Sequence, residues 1–359
     1  MMRRRRAKVL AVFNLLFLIA VMVQASSAFT ASIPPGFGSS LEQVAKLAAK
    51  EGRVNISASL EGEEIGIVLE GFRKRHPEIK VDYTTSTGID SGERILAETL
   101  SGHVEYDVAK IVYELQSKFT KAGVLAGPFE WSRLFPGTPK EHVSPSGYLV
   151  GGSFYPRVIA YNPALVPPER VPKKWEDCLD PYWKGKFVVD VRPATLLALY
   201  PAWGEQRILE YAKRLKENQP IWQRGISKSL ALLASGEFHM ICGTAYSAVQ
   251  GLLRKDPEAK VRIAWPNEVP VGLNEALGVF KSAKSPNAGL LLAGWLASAE
   301  AQKGYDRVGR GSPFIESTEA SKEFKKAGAK PIFAGWNEGE YAPALTKKIT
   351  AIWGTSAKN

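Results

Sequence analysis

Histidine and cysteine are scarce, with four and two copies in 359 residues. His76, His103, His142 and His239 are widely spaced and none stands in an H-E-x-x-H context, so the usual helical zinc pattern is absent. G-x-S-x-G, G-x-x-x-x-G-K-[ST] and C-x-x-C are missing too, which removes the nucleophile-elbow, P-loop and dithiol chemistries. Carboxylate pairs such as Glu63-Glu64 open a helix, where negative charge suits the helix dipole without any catalytic duty. An enzyme is therefore not expected, and a secreted hydrolase remains only a remote alternative. Cys178 and Cys242 are too few for a disulfide framework, and both lie in apolar stretches; they are expected to be buried free thiols rather than a bridge.

Long apolar runs are absent after the first residues, since even Leu290 to Ala297 makes only one or two helical turns. The one address-like segment is at the start. Arg3 to Arg6 form a basic region, Val9 to Val23 an apolar one, and Val23-Gln24-Ala25 or Ser26-Ser27-Ala28 offers small residues for cleavage. Together they predict a signal peptide over residues 1–28, because the apolar run is shorter than the roughly 20 residues of a spanning helix. The mature protein is then expected in the periplasm. Arg3 to Arg6 and Lys8 also supply five of the +11 net charges, and the remainder is scattered in mixed-sign clusters with no basic run interleaved with aromatics. No nucleic-acid partner is expected.

What is present is a repeated phrase of strand, polar loop and amphipathic helix. Val54 to Ser57 is strand-like, and Glu63 to Arg75 places Ile65, Val68, Leu69 and Phe72 at helical spacing before His76-Pro77. Lys80 to Thr84 predicts a second strand. The polar notch TTSTGID follows it, with Asp90 and Glu93 expected as a capping box. Tyr106 to Val112 predicts a third strand. A second unit of the same style follows Tyr161-Asn162-Pro163, with strands over Phe187 to Val189 and Phe238 to Cys242 ending in polar residues. This alternation predicts an α/β fold with parallel sheets, whose ligands sit beyond the carboxyl ends of the strands at helix N-termini.

Trp175-Glu176-Asp177-Cys178-Leu179-Asp180-Pro181-Tyr182-Trp183-Lys184-Gly185-Lys186 resembles the W-x-D-L-L-D-P-x-W-K-G-K signature of extracellular solute-binding proteins of bacterial ABC importers. The branch concerned holds ferric-ion, thiamine, phosphonate and sugar-phosphate binders. Asp107-Val108, Tyr161-Asn162, Lys284-Ser285-Pro286-Asn287-Ala288 and Trp295-Leu296-Ala297-Ser298 match in the same order, so the resemblance covers roughly residues 50 to 315. It implies a type II periplasmic binding fold: lobe one from residues 50–155 plus 275–340, lobe two from 162–265, and hinge crossings at 156–161 and 266–274. It also implies a monomer without cofactor that closes on a small molecule or metal ion and delivers it to a membrane permease. A receptor-coupled sensor subunit with the same fold is the third class.

Ligand residues are expected at the strand ends. Ser57, Ser59, Ser86, Thr87, Gly88, Thr195 and Thr244 are hydroxyl or glycine positions suited to surrounding an oxyanion, and Arg192 offers a bidentate fork. Tyr246 completes the set. A phosphorylated or other organic anion is the expected ligand. In the ferric members of the resembled family two adjacent tyrosines hold the metal, but here Ala245-Tyr246 leaves one. The ferric alternative therefore needs Tyr246 supplemented by Glu61, Glu63, Glu64 or a bound anion. Tyr182 and Trp183, like Trp131, Trp203 and Trp222, are expected to pack rather than bind.

Overall fold

The structure, a computed structural model, describes residues 33–103 and 105–355, and the expected signal peptide over 1–28 lies outside them. Ser40 opens α1 (Leu41–Glu51) by accepting the Gln43 N–H at 3.3 Å, and Val44 and Ala48, a turn apart, form its buried face. The predicted alternation follows: β1 (Arg53–Ala58), α2 (Glu63–Arg75), β2 (Lys80–Thr85), α3 (Gly88–Leu100), β3 (Val108–Lys110) and α4 (Tyr113–Lys121). β1 pairs in parallel with both β2 and β3, a pairing that obliges the chain to cross over through helices. The capping box expected at Asp90 is not formed. α3 begins earlier because Gly88, at φ 80°, turns the chain into the helix without a Cβ penalty, leaving Thr87 at the N-cap position.

Beyond α5 (Trp131–Leu134), the chain adds β4 (Leu149–Gly151) and β5 (Phe154–Tyr161). A second alternating run comprises β6 (Phe187–Asp190), α6 (Ala194–Glu217), β7 (Ile221–Gln223), α7 (Ile226–Ser235), β8 (Met240–Ala245) and α8 (Tyr246–Lys255). β9 (Arg262–Ala264), β10 (Glu268–Leu273), β11 (Ala276–Val279), α9 (Pro286–Leu296) and α10 (Ala299–Arg307) come next. The chain closes with α11 (Glu319–Ala327), β12 (Lys330–Phe333) and α12 (Glu338–Trp353). α6 is kinked, since Gly204 leaves helical geometry three residues after Pro201.

The strands form a five-stranded sheet, β2-β1-β3-β11-β4, and a seven-stranded sheet, β12-β10-β5-β8-β6-β7 with β9 on β5. The chain passes from the first sheet to the second between β4 and β5, and returns between β10 and β11. β5 and β10 are themselves strands of the second sheet, antiparallel to each other. Of the segment 275–340, β11 lies in the first sheet and β12 pairs with β10 of the second.

Both passages are tied at one point. The buried Glu275 carboxylate accepts the N–H and Oγ of Ser59 at 3.1 Å each, the Tyr305 hydroxyl at 2.8 Å and Ser153 Oγ at 3.3 Å. Asn274 Nδ2 donates to Ser153 Oγ at 2.8 Å. A buried carboxylate with four donors is satisfied in a way that a single partner would not allow.

The signature segment builds two turns. Asp177 accepts the N–H groups of Lys173 and Lys174 at 2.7 and 3.1 Å, and Asp180 accepts that of Tyr182 at 2.9 Å. Trp175 is buried with its indole N–H on the Glu268 carbonyl at 2.7 Å, and Trp183 is buried beside Tyr182. Here one expectation is corrected. Cys178 and Cys242 are buried but not free: they form a disulfide, with Cα atoms 6.4 Å apart, because the signature turn packs directly on β8. Their separation in space is a tertiary fact that chain spacing of 64 residues does not carry.

Candidate functional site

Three open cavities run together between the two sheets. One of 420 Å3 is lined by Gly88 and Lys110 from the first sheet's elements and by Arg157, Arg192 and Glu338 from the second's. The next, of 620 Å3, shares Tyr155, Arg157 and Arg192 with it. The third, of 650 Å3, shares Glu64, Arg254, Lys255 and Arg310 with the second. The result is one cleft whose 620 Å3 middle is cationic, with Arg157, Arg192, Arg254, Lys255 and Arg310 against Glu64, while the other two cavities add Lys110 and Arg307 but also Glu61, Glu63, Glu114 and Glu338.

β5 supplies its floor, because Tyr155 and Arg157 are two residues apart on a strand and so emerge on the same face. The half-buried Arg157 guanidinium lies 5.8 Å from the Tyr155 ring and, among the described residues, makes no hydrogen bond or ion pair. Burial pulls its pKa below the ordinary value for arginine. Lys110, at the end of β3, is in the same condition: half-buried, without an ion pair among the described residues, its pKa lowered by burial. A desolvated cation without an acceptor is costly unless something supplies one.

The other two central arginines are partly engaged. Arg192 donates from Nε and Nη2 to Asp190 at 2.9 and 2.7 Å. Burial works to raise the Asp190 pKa, but the hydrogen bonds from Arg192 outweigh it and hold the carboxyl below its usual range. Arg310 donates from Nη2 to Glu64 at 3.0 Å and from Nη1 to the Tyr155 hydroxyl at 3.3 Å, while its buried Nε has no partner among the described residues.

The helix ends divide in the same way. Away from the cleft, in all but the four-residue α5, free N–H groups are satisfied by side chains: Ser40 caps α1, Ser298 caps α10, Thr318 caps α11, and the Glu51 carboxylate takes the Asn287 and Ala288 N–H groups of α9 at 3.1 and 2.7 Å. Around the cleft they are bare. α3, α4, α6, α7 and α8 each present a first-turn residue to the cavities, and among the described residues none of the five has a side-chain cap. Uncapped N-termini carry unpaired N–H groups and partial positive charge, so they add to the arginines as oxyanion donors.

The sequence profile of one family, described as bacterial extracellular solute-binding protein, matches residues 113–339, more than half of the chain. The chain is a bacterial extracellular solute-binding protein. No curated protein matches this solute-binding protein in sequence. Its structure is similar to that of iron-bound HitA from Pseudomonas aeruginosa, with a TM-score of 0.67 and 20% identity over 83% of this chain and 99% of that one. It is similar also to Trichodesmium IdiA (FutA) in complex with iron and citrate, with a TM-score of 0.69 and 22% identity over 84% and 99% of the two chains. An ABC transporter substrate-binding protein from Bradyrhizobium japonicum gives 0.66 and 18% identity over 84% and 99%. The fold is accordingly that of a type II periplasmic binding protein. Among the described residues no helix is long and apolar enough to cross a membrane.

The residues singled out from the sequence are distributed unevenly in this solute-binding protein. Gly88 and Arg192 line the cleft, and Thr87 stands exposed at the N-cap of α3 beside Gly88. Ser59 is engaged with Glu275, and Ser86, half-buried, donates its N–H to the Ala58 carbonyl at 2.7 Å. Ser57 lies within β1 and Thr244 within β8, both fully buried with hydroxyls that find no partner among the described residues. β8 runs on through Ala245 because Thr244 and Ala245 pair with Val158 and Arg157 of β5, so these positions are strand interior rather than loop. Thr195 lines a small cavity beside Cys242 that shares Arg192 with the cleft, and its Oγ1 is only 2.5 Å from where a Cβ on Gly243 would sit. Tyr246 is 5% exposed, packs 5.4 Å from the Trp265 ring, and burial pushes its phenol up to about 12. Among the described residues no three His, Cys, Asp or Glu side chains converge as a metal site.

Sequence reasoning missed Arg157, Lys110, Tyr155 and Arg310. The signal for Arg157 was a lone charge in the otherwise apolar strand Phe154 to Tyr161, since an arginine at mid-strand must face something that accepts it.

Glu338, the first residue of α12, lines the cleft at 7% exposure. Burial raises its pKa to about 7, with Arg157 pulling it down and Glu114 pushing it up. Its folded pKa exceeds the unfolded one, so the folded state holds the extra proton between about pH 4.5 and 7 and stability falls as pH rises through that window. Glu338→Gln is expected to stabilise the protein by about 2–3 kcal/mol at pH 8 and hardly at all at pH 4.5. Urea midpoints of the two proteins at those pH values check this.

Proposed function

We propose that this solute-binding protein captures an oxygen-rich anion, a phosphorylated or other organic anion, and hands it to the membrane permease of an ABC importer. The supporting observation is the pairing of Arg157 and Lys110, two half-buried cations at the cleft floor that lack an acceptor among the described residues. The bare helix ends around them supply further donors. In this reading the five-stranded sheet with its helices forms one lobe and the seven-stranded sheet, which includes β12, the other; the hinge is the pair of passages between β4 and β5 and between β10 and β11, not 156–161 and 266–274, which are strands of the second sheet. A ligand touching both lobes biases closure through the contacts it gains only when the lobes meet.

A ferric cargo is the second reading, and the comparisons favour it over a phosphorylated anion: HitA is named as iron-bound, and the Trichodesmium protein as bound to iron and citrate. The side chains of this chain favour the anion, because Tyr246 is buried against Trp265 and the cleft floor is positive. A ferric ion carried inside an anionic oxygen chelate reconciles the two, since its outer oxygens offer Arg157 and Lys110 the acceptors they lack. The test is metal analysis and native mass spectrometry of the protein as purified, followed by tryptophan-fluorescence titration with a phosphate monoester, ferric citrate and free ferric ion. Saturation by the monoester without iron supports the first reading and by ferric citrate alone the second; saturation by free ferric ion, with a tyrosinate-to-metal absorption band, overturns the anion reading.

A further inference from the structure

Besides the arginines, the 620 Å3 cavity has a lining of another character. Ile226 and Leu230 of α7 and Ala248 and Leu252 of α8 line it, each pair one helical turn apart and hence on one face of its helix. Leu230 belongs to the buried cluster beneath, whereas Ile226, Ala248 and Leu252 are only partly buried and look into the cleft. The charged residues of α8 that reach this cavity, Arg254 and Lys255, come only in its last turn.

The volume is in the range of organic-ligand pockets, roughly 300–1,000 Å3. A water molecule takes about 30 Å3 and an inorganic oxyanion only a few times that. A bare ion would leave the apolar wall wet.

Resting on the anion reading of the same cleft, we infer that the ligand carries an apolar organic body beyond its charged head, and that Ile226, Ala248 and Leu252 select that body. The head lies against Arg157 and Lys110, and the body covers the stripe formed by α7 and α8. This distinguishes the cargo from inorganic anions and from phosphates of polyhydroxyl compounds, which gain nothing from an apolar stripe.

Calorimetric titration with inorganic phosphate, glycerol phosphate and phenyl phosphate tests this. Phenyl phosphate is expected to bind about tenfold or more tightly than glycerol phosphate. In an Ile226→Ser, Leu252→Ser double variant that preference should shrink to less than about threefold. Should the double variant fail to fold, Ala248→Phe, which projects into the open cleft, should lower phenyl phosphate affinity relative to inorganic phosphate. Equal binding of glycerol and phenyl phosphate, or a preference that survives the substitutions, overturns the inference while leaving the anion reading in place. If none of the three phosphates binds, the anion reading falls and the inference falls with it.

Discussion

Arg157→Ala will raise the dissociation constant of the bound anion about a hundredfold or more, while the melting temperature of the ligand-free protein holds level or rises. A hydrogen bond from a charged donor contributes about 1.5–3 kcal/mol, and a guanidinium fork makes two of them, so the loss reaches a hundredfold with only part of that energy. The second half of the expectation follows from what Arg157 lacks. It has no hydrogen-bond or ion-pair partner among the described residues, and burial already disfavours its charged form, so the empty protein loses only the longer-range attraction of Glu338, Asp190 and the Tyr155 ring when the guanidinium goes. Arg157→Lys should recover the charge but not the fork, and fall between the two. Titration calorimetry and scanning calorimetry on the same samples decide it. A large fall in melting temperature with little change in affinity would make Arg157 a structural residue and leave the anion reading without its main support.

Loss of the Cys178–Cys242 bridge has the largest expected effect on stability. The link spans 64 residues, and closing a loop of that length in the unfolded chain corresponds to about 4 kcal/mol. Cys178→Ser is expected to lower the melting temperature by on the order of 10 °C. Reductant should do the same to the wild type and nothing to the variant. A wild type that reacts with two equivalents of thiol reagent before unfolding would contradict the bridge.

Much of the framework was legible. α2 carries its buried Val68, Leu69 and Phe72 at the spacing that predicts it, and β1, β2 and β6 fall where short β-rich runs stand before polar loops. These are local signals, in which a residue's neighbours in sequence are also its neighbours in space. The expectation of Gly88 and Arg192 at the cleft had the same basis, since both stand where a strand or its loop delivers the chain to a helix. The hydroxyls at Ser57 and Thr244 could not be sorted that way. Whether a strand stops at residue 243 or runs through 245 depends on β5, a strand more than eighty residues away in sequence. The same distance hid the disulfide and the isolation of Arg157. An arginine's lack of a partner is a property of every element packed around it, and no window of sequence contains those.

The undressed helix ends set a boundary on how far this protein can be toughened. Serine at Val112 or Ala245, where α4 and α8 begin from extended backbone, is the obvious stabilising exchange and would normally add about 1 kcal/mol. On the anion reading, each such oxygen would also seat itself where the cargo's own oxygen belongs. Natural selection and the protein engineer face the same trade at these positions: a receptor that keeps its sockets open for a guest must remain a little unfinished when the guest is away.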